Sequence, residues 1–459
     1  LSAMRRRRRC KRFWWSWGMS EIVGGGWSVS CFGALCLRIV NGGTPDTGNA
    51  AYWNGETPWI TGADFTANGI GEFRRYVSDA GIRNSSTSVV KQGNLLVVTR
   101  TGVGKLAIAP CDIAISQDIT GIYIDAGKAE TDFVYYLLSR ELDELKKLNQ
   151  GTSINGIVRS DLEKHIVRLP AAKSAQKKIT SILTSMDTAI EKTEVLIAKY
   201  QQIKAGLMHD LFTRGVLPND QLRPLREQAT ELYQETAIGW IPKEWEILSL
   251  AAKGRAGTSW IRTGPFGSTL KGEHWRTDGH PVITIGALGE GDFSQSELLF
   301  VGAKDAARLR DFQLKAGDVV FSRVADVGRS VVVREDQAGW IMSSNLMRIA
   351  VDENLARPDF LQMALAGDAR VKAQIRARVN SGGRDVANSD VLSQLRFAWP
   401  DLPEQDRIIA FSNRVSRNQN IERQKSEKLR CQKLGLMQDL LTGEVAVQVG
   451  ETVAEAMDG

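Results

Sequence analysis

Cysteine and histidine are scarce in this chain, at five and four among 459 residues. The cysteines, Cys10, Cys31, Cys36, Cys111 and Cys431, are odd in number and nowhere spaced Cys-x-x-Cys. That argues against a disulfide framework and for reduced thiols in a cytoplasmic setting. The histidines form no His-Glu-x-x-His and no Cys/His cluster, so no metal site is expected and no Ser/His/Asp or Cys/His catalytic set can be assembled. No apolar run reaches 18 residues, so no membrane span is expected. Nucleotide chemistry lacks its signatures as well. Gly102-Val-Gly104-Lys105 is preceded by Thr99 where a P-loop needs glycine and followed by Leu106 where it needs Ser or Thr. There is no Asn/Asp-Pro-Pro-Tyr/Phe tetrapeptide of the kind that holds an extruded adenine, and no strand leads into a glycine fingerprint.

A one-signed charge is also missing from most of the molecule. The formal net charge is +6, but Arg5 to Arg9, Lys11 and Arg12 all precede Met19, leaving 52 basic against 53 acidic residues in the remainder. Any cationic footprint must therefore be local. Residues 1–26, with the arginine run and Trp14, Trp15 and Trp17, are expected to be a disordered basic extension; residues 1–18 read as a non-native addition or a nucleic-acid-binding tail. The arginines are not followed by an apolar stretch long enough for a secretory signal.

What is present is a repeat. Gly206-Leu-Met-His-Asp-Leu-Phe-Thr213 returns as Gly435-Leu-Met-Gln-Asp-Leu-Leu-Thr442 at an offset of 229, and Ser160-Asp161 and Gln176 return near that offset as Ser389-Asp390 and Gln405. At smaller offsets Pro58-Trp-Ile-Thr61 matches Pro281-Val-Ile-Thr284, Arg100 matches Arg323, Gly104-Lys105 matches Gly328-Arg329, and Asp132-Phe133 matches Asp359-Phe360. Each half is a mixed segment followed by a long helix, and a duplicated binder reads two things. In the first helix Ile179, Ile182, Met186, Ala189, Thr193, Leu196, Tyr200, Ile203 and Leu207 fall at heptad spacing. In the second, Ile408, Phe411, Val415, Leu429 and Leu436 take the same frame, with Asn418, Glu422 and Lys425 a polar middle that Ile421 could replace if the frame shifts. Helices of about 40 residues are about 60 Å long. Their stripes are expected to pack antiparallel against each other, relating the halves by a pseudo-twofold axis; independent hairpins or surface helices are the alternative.

The fold class expected is α+β, with segments at 27–170 and 240–400 mixed, helices at 171–214 and 401–445, a linker at 215–239 and a tail at 446–459. Strands are predicted at Leu95 to Thr99, Leu106 to Ala109, Ile119 to Ile124, Val319 to Ser322 and Ser330 to Arg334. Helices should start near Asp132 and Asp359, with the acid as N-cap. The strand-Arg-Gly-turn-cation pattern suits backbone approach to nucleic acid, and equally suits a plain hairpin turn. Gly42-Gly43-Thr44-Pro45 and Gly264-Pro265-Phe266-Gly267-Ser268 read as loops that differ between halves, or as ordinary turns. Arg370, Lys372, Arg376, Arg378 and Arg384 form an acid-free stretch that could neutralise phosphates or simply be a solvated helix face.

This plan resembles the specificity subunit of type I restriction-modification enzymes, on the order segment-helix-segment-helix, the two helix-ending octapeptides, the stretches Gly93 to Lys105 and Gly317 to Arg329, and Leu402-Pro-Glu-Gln405. Ala172-Lys-Ser-Ala-Gln176 departs from the Pro-x-x-Glu-Gln form of the second half. The resemblance implies two target-recognition domains, each reading half of a split, asymmetric duplex DNA target, with paired helices fixing the unread gap and no catalysis in this chain. It implies two modification subunits that bind S-adenosylmethionine and methylate adenine, and two restriction subunits using ATP and Mg. The DNA-binding residues expected are Thr44, Arg100, Thr101 and Lys105 in the first half and Ser268, Arg323, Arg329, Arg376 and Arg378 in the second. The alternative is a two-module scaffold that recruits proteins without reading DNA.

Overall fold

Leu95-Leu-Val-Val98 and Val319-Val-Phe-Ser322 are apolar without alternation, the pattern of strands covered on both faces. The computed structural model, which describes residues 21–23, 26–66, 69–148, 156–257, 259–289, 291–324, 327–379 and 386–448, places each as an inner strand of a four-stranded sheet. Leu95 and Val97 point into one core with the helices, while Leu96 and Val98 point into a second core against another sheet. Val319 and Phe321 are divided from Val320 in the same way.

The chain forms two compact units, one of residues 1–193 and 425–459 and one of 194–424. Each therefore takes half of both long helices, Lys173–Thr213 and Leu402–Thr442. In unit 1 the first sheet has the order Leu106–Ile108, Leu95–Val98, Ile119–Ile124, Cys36–Asn41. In unit 2 the order is Ser330–Val332, Val319–Ser322, Leu346–Ile349, Ile261–Thr263. The second sheet repeats too, since Thr57–Ile60 runs parallel to Ile113–Ile115 as His280–Ile283 does to Ile341–Met342. Trp27–Cys31 pairs with Ile166–Pro170, and Glu246–Ser249 with Arg396–Trp399.

Three details depart from the sequence reading. Helices Thr131–Leu148 and Pro358–Gly367 do start where expected, but Asp132 and Asp359 lie in the first turn rather than at the cap, and in the second helix Pro358 occupies the start with Arg357 before it. The acid serves the helix dipole there instead of capping. Residues 215–239, expected to be a linker, hold the hairpin Tyr233–Thr236 with Gly239–Pro242 and pack into unit 2. Of the expected basic extension, Glu21–Val23 forms a strand against Trp27–Val29; residues 1–20 lie outside the described residues.

The helices run antiparallel in both units. In unit 1 Lys433 meets Asp187 at 2.5 Å, while Leu440 and Leu441 share a core with Ile179 and Leu183. In unit 2 Ser412 meets the sulfur of Met208 and Arg407 donates to Val216 O at 3.1 Å. The seam is not quite the expected one. The residues turned inward are Gln176, Ile179, Leu183, Met186, Ile190, Thr193, Ile197, Tyr200, Lys204, Leu207 and Leu211, in three- and four-residue steps. Their counterparts 229 positions on, from Gln405 and Ile408 through Ser412, Gln419 and Ser426 to Leu440, are turned inward as well. Ile179, Met186, Thr193, Tyr200 and Leu207 were correctly placed, whereas Leu196 and Ile203 are 40% and 44% exposed. In the second helix Phe411 packs partly on the unit 2 core as expected, but Asn418 and Lys425 are exposed where Ser412, Gln419 and Ser426 are buried, and Ile421 stays exposed at 53%. Small polar residues thus face the apolar seam of the first helix.

Two positions kept in both halves of the repeat are the buried glutamines Gln176 and Gln405. Gln176 Nε2 donates to Pro170 O at 2.8 Å, and its Oε1 accepts from the backbone N–H of Glu130 at 2.9 Å. Gln405 Nε2 donates to Pro400 O at 3.0 Å and its Oε1 accepts from Arg357 N–H at 2.8 Å. Both side chains are fully buried. Each one ties the end of a strand to the start of a helix and to the start of the long helix on which it sits.

Each long helix also ends alike. Gly215 and Gly443 have φ of +68° and +79°, a left-handed stop that favours glycine. A Cβ on either would lie 2.6 Å from an indole carbon, of Trp245 for Gly215 and of Trp27 for Gly443. In unit 1 the stop of the second long helix is thereby packed on Trp27.

Candidate nucleic-acid interface

In unit 1 the strand Leu95–Val98 and the strand Leu106–Ile108 are joined by a turn closed by Val98 N–H to Lys105 O at 2.8 Å and Gly104 N–H to Val98 O at 2.9 Å. Beside it stands the turn Ser116-Gln117-Asp118, which links the two sheets. Thr99 N–H donates to Asp118 O at 2.8 Å and Thr101 Oγ1 to Asp118 Oδ1 at 3.2 Å. From the other side Thr44 Oγ1 donates to Gln117 Oε1. The Thr44 loop is held from beneath by indoles, Trp59 Nε1 donating to Gly43 O at 3.1 Å and Trp53 Nε1 to Asp46 O at 3.0 Å. Gly42 is required there, because a Cβ would sit 2.2 Å from Ile115 O. Thr44, Arg100 and Thr101 are all exposed around this turn, and Arg100 makes no side-chain hydrogen bond or ion pair among the described residues.

Lys105 is placed differently. Its Nζ donates to Gly62 O at 3.2 Å and Phe65 O at 3.0 Å, tying the turn to the segment 62–65. That segment depends on Asp64, whose Oδ2 accepts from Thr61 N–H at 2.8 Å and whose Oδ1 lies 2.6 Å from Arg74 Nε. Burial alone would raise the Asp64 pKa, but the Arg74 and Thr61 hydrogen bonds outweigh it and the pKa is lowered. A depressed carboxylate adds stability above its unfolded value of about 3.9, and loses it as pH falls through the lower folded value. Acidification below about pH 4 should therefore loosen residues 61–65 and free the Lys105 turn. Hydrogen exchange across pH 3 to 6 checks this, and Asp64→Asn should show the loosened state at pH 6.

Unit 2 repeats the geometry with other side chains. Ser322 N–H donates to Arg329 O at 2.8 Å and Gly328 N–H to Ser322 O at 3.3 Å, so Val98 corresponds to Ser322 and Lys105 to Arg329. Arg323 N–H donates to Asn345 O at 3.1 Å, and Ala387 N–H to Arg323 O at 2.8 Å, as Ile157 N–H donates to Thr99 O. Arg323 therefore stands where Thr99 does, and Arg100 where Val324 does; the matching of Arg100 with Arg323 in the sequence is one residue out. Because side chains alternate along an extended chain, that shift turns the two arginines to different sides. Arg323 is half-buried, and its Nε has no hydrogen-bond partner. Arg329 donates to Leu288 O, so it braces the neighbouring loop.

The remaining candidates of unit 2 are spread out. Gly264 matches Gly42, its N–H donating to Leu346 O at 2.9 Å and an added Cβ falling 1.9 Å from Ser343 O. Thr44 therefore corresponds to Phe266; the side chain of Ser268 lies outside the described residues. Arg376 is exposed in the last turn of helix Ala369–Val379, and Arg378 donates to Gln374 Oε1 at 3.4 Å. Cations there also suit the helix dipole. Arg370, counted in the basic stretch, is bound to Asp368 at 2.8 Å and to Phe212 O at 2.6 Å, and Arg384 lies outside the described residues. Sequence reasoning missed Gln117, Asp118, Phe266 and Asn345. The signal available was Ser116 and Ser343, which follow matching strands and donate alike to Ile60 O and Ile283 O.

Among the described residues no group of three His, Cys, Asp or Glu could hold a metal ion, and no helix is long and apolar enough to cross a membrane. The arrangement is instead two sets of loops on one framework, each offering backbone amides, hydroxyls and an arginine at the end of a sheet. Comparison with known proteins supplies the decisive observation, since the model of the type I restriction modification DNA specificity domain matches residues 25–199 and again 261–430. The chain belongs to this family of DNA specificity domains. The specificity family includes the type I restriction enzyme MjaVIII specificity subunit of Methanocaldococcus jannaschii, 21% identical over 92% of this chain and 93% of that protein. The MjaIX specificity subunit of the same organism is 24% identical over 46% of this chain and about half of its own length, 48%. Among solved structures, the S subunit of a type I system from M. genitalium aligns over 92% of this chain and 97% of its own with a TM-score of 0.54 at 15% identity. A chain from a structure describing complex assembly and conformational transition of a type I R-M system aligns over 93% and 100%, with a TM-score of 0.55 at 16% identity. At identities this low, these two likenesses show a shared fold alone.

Proposed function

We propose that this chain is the DNA-reading, non-catalytic subunit of a type I restriction-modification complex. The loops of unit 1 read one half of a split, asymmetric duplex target and those of unit 2 the other, and the antiparallel helices set the gap between them. The observation that carries this is a duplicated framework with divergent readers: Gly42 and Gly264, Ser116 and Ser343, and Gly104 and Gly328 repeat, while Thr44 is replaced by Phe266, Thr99 by Arg323 and Arg100 by Val324 at the equivalent positions. Two scaffolding modules would have no reason to keep the loop backbone and change the side chains it carries, Thr44, Arg100 and Phe266 among them exposed. Two modification subunits, carrying S-adenosylmethionine for adenine methylation, would dock on the long helices, where Val195, Leu196 and Ile203 are exposed. Two restriction subunits, using ATP and Mg, would complete the enzyme in the cytoplasm.

Co-expression with a modification subunit followed by sequencing of methylated sites tests the assignment; a two-part motif with one fixed gap is expected, and methylation without sequence preference would refute it. Arg323, half-buried just beyond the strand Val319–Ser322, is the arginine of unit 2 proposed to reach a guanine edge. Arg323→Ala should cost about 1–3 kcal/mol in DNA binding and relax one position of one half-site. Unchanged affinity and preference would remove it from the interface.

A further inference from the structure

We propose that Phe266 is an apolar wedge whose ring enters the base stack at one step of the half-site met by unit 2, partly unstacking it. The inference rests on the DNA-reading assignment above. Phe266 is 87% exposed, the most exposed of the large hydrophobic side chains among the described residues. A single exposed phenylalanine is ordinary on a protein surface. This one differs in how it is held and what surrounds it.

Its backbone cannot withdraw. Gly264 is held to the neighbouring strand of its own sheet by its N–H to Leu346 O and leaves no room for a Cβ, Pro265 is buried, and Thr269 N–H closes the turn on Phe266 O at 2.8 Å. The ring joins no ring stacking or cation contact among the described residues, so nothing folds it back. Its turn also abuts the interface. Gly267 approaches Ser344, and the adjacent Asn345 accepts the Arg323 N–H at 3.1 Å, so the wedge and the arginine flank one three-residue turn.

The repeat provides an internal control. At the same place in unit 1 stands Thr44, a small hydroxyl bonded to Gln117. The framework thus tolerates a small polar residue, and the ring answers to what unit 2 meets rather than to the fold. Phenylalanine is among the side chains that open base steps, where unstacking is offset by burial of the ring and closer wrapping of the duplex. Flexible pyrimidine–purine steps open most easily, so such a step is expected under Phe266.

The test uses the chain assembled with a modification subunit and duplexes carrying the motif recovered from its methylated sites, with 2-aminopurine placed at each step of that half-site in turn. Wild type should raise the fluorescence at one step. Phe266→Ala should abolish that rise and weaken binding roughly 5- to 150-fold, as removal of one aromatic–base stack does, with the salt slope unchanged because no cation is lost. Phe266→Leu should keep part of both signals. No fluorescence rise with wild type, or equal affinity and signal with Phe266→Ala, overturns the wedge while leaving DNA reading intact. Failure of the wild-type assembly to bind its own methylated motif selectively would instead take down the assignment on which the wedge rests.

Discussion

Glu404→Ala is expected to destabilise unit 2 by about 3–5 kcal/mol, the cost of leaving a buried cation without its partner. Glu404 and Arg223 are 3% and 5% exposed and meet through both carboxylate oxygens, Arg223 Nη2 lying 2.9 Å from Oε2. The same carboxylate accepts from Val216 N–H at 2.9 Å and from Trp245 Nε1 at 3.0 Å, so its removal unpairs these two donors as well and, among the described residues, leaves Arg223 only the exposed Glu244 at 3.5 Å as an ionic partner. Arg223 Nη1 in turn donates to Arg214 O at 2.9 Å, which fixes the chain where it leaves the first long helix. Replacing both partners with apolar residues would not be neutral here, because the indole and amide donors would remain buried and unpaired. The checking measurement is hydrogen exchange by peptide, which separates the units where a single melting transition would not. Peptides around Val216 and Trp245 should exchange faster while those of residues 95–124 keep wild-type protection. Equal protection of the Val216 peptide would contradict the assignment.

Gln405→Leu should cost unit 2 up to about 2–6 kcal/mol, and Gln176→Leu unit 1 the same, since each leaves one buried carbonyl and one part-buried N–H unsatisfied at about 1–3 kcal/mol apiece. Leucine has nearly the volume of glutamine, so the loss isolates the two hydrogen bonds from any cavity. The effects should be local, Gln405→Leu exposing the start of helix Pro358–Gly367 to exchange and Gln176→Leu the start of helix Thr131–Leu148. The two losses should add in the double variant, because their hydrogen-bond partners lie in separate units. A variant with unaltered exchange at its own helix start would show that the glutamine is not the tie proposed.

The architecture was legible because the repeat wrote it twice. Apolar runs such as Leu95-Leu-Val-Val98 recur in the second half, and two helical stripes of 41 residues need each other. What escaped were shifts of one residue. Leu196 and Ile197 are neighbours of equal hydrophobicity, and only the partner helix decides which faces inward; the packed structure takes Ile197 and leaves Leu196 exposed. The likeness of Arg100 to Arg323 failed for a similar reason, since letter matching preferred arginine to arginine while the ladder hydrogen bonds pair Arg323 with Thr99. The second helix was harder still. Ser412, Gln419 and Ser426 carry no hydrophobic signal and are buried only because an apolar seam faces them. Lys105 looked free for phosphate because its two carbonyl acceptors come from residues about 40 positions earlier, which spacing does not reveal.

In the proposed function a helical spacer of set length holds two sequence-reading heads. Inserting seven residues at facing positions of both long helices keeps each seam in frame and adds about 10 Å at 1.5 Å per residue. At about 3.4 Å per base pair that is about three pairs of DNA. Sequencing the sites methylated by the lengthened chain with a modification subunit should return both half-sites unchanged, with the gap between them about three base pairs longer. An unchanged gap, or altered half-sites, would contradict the account.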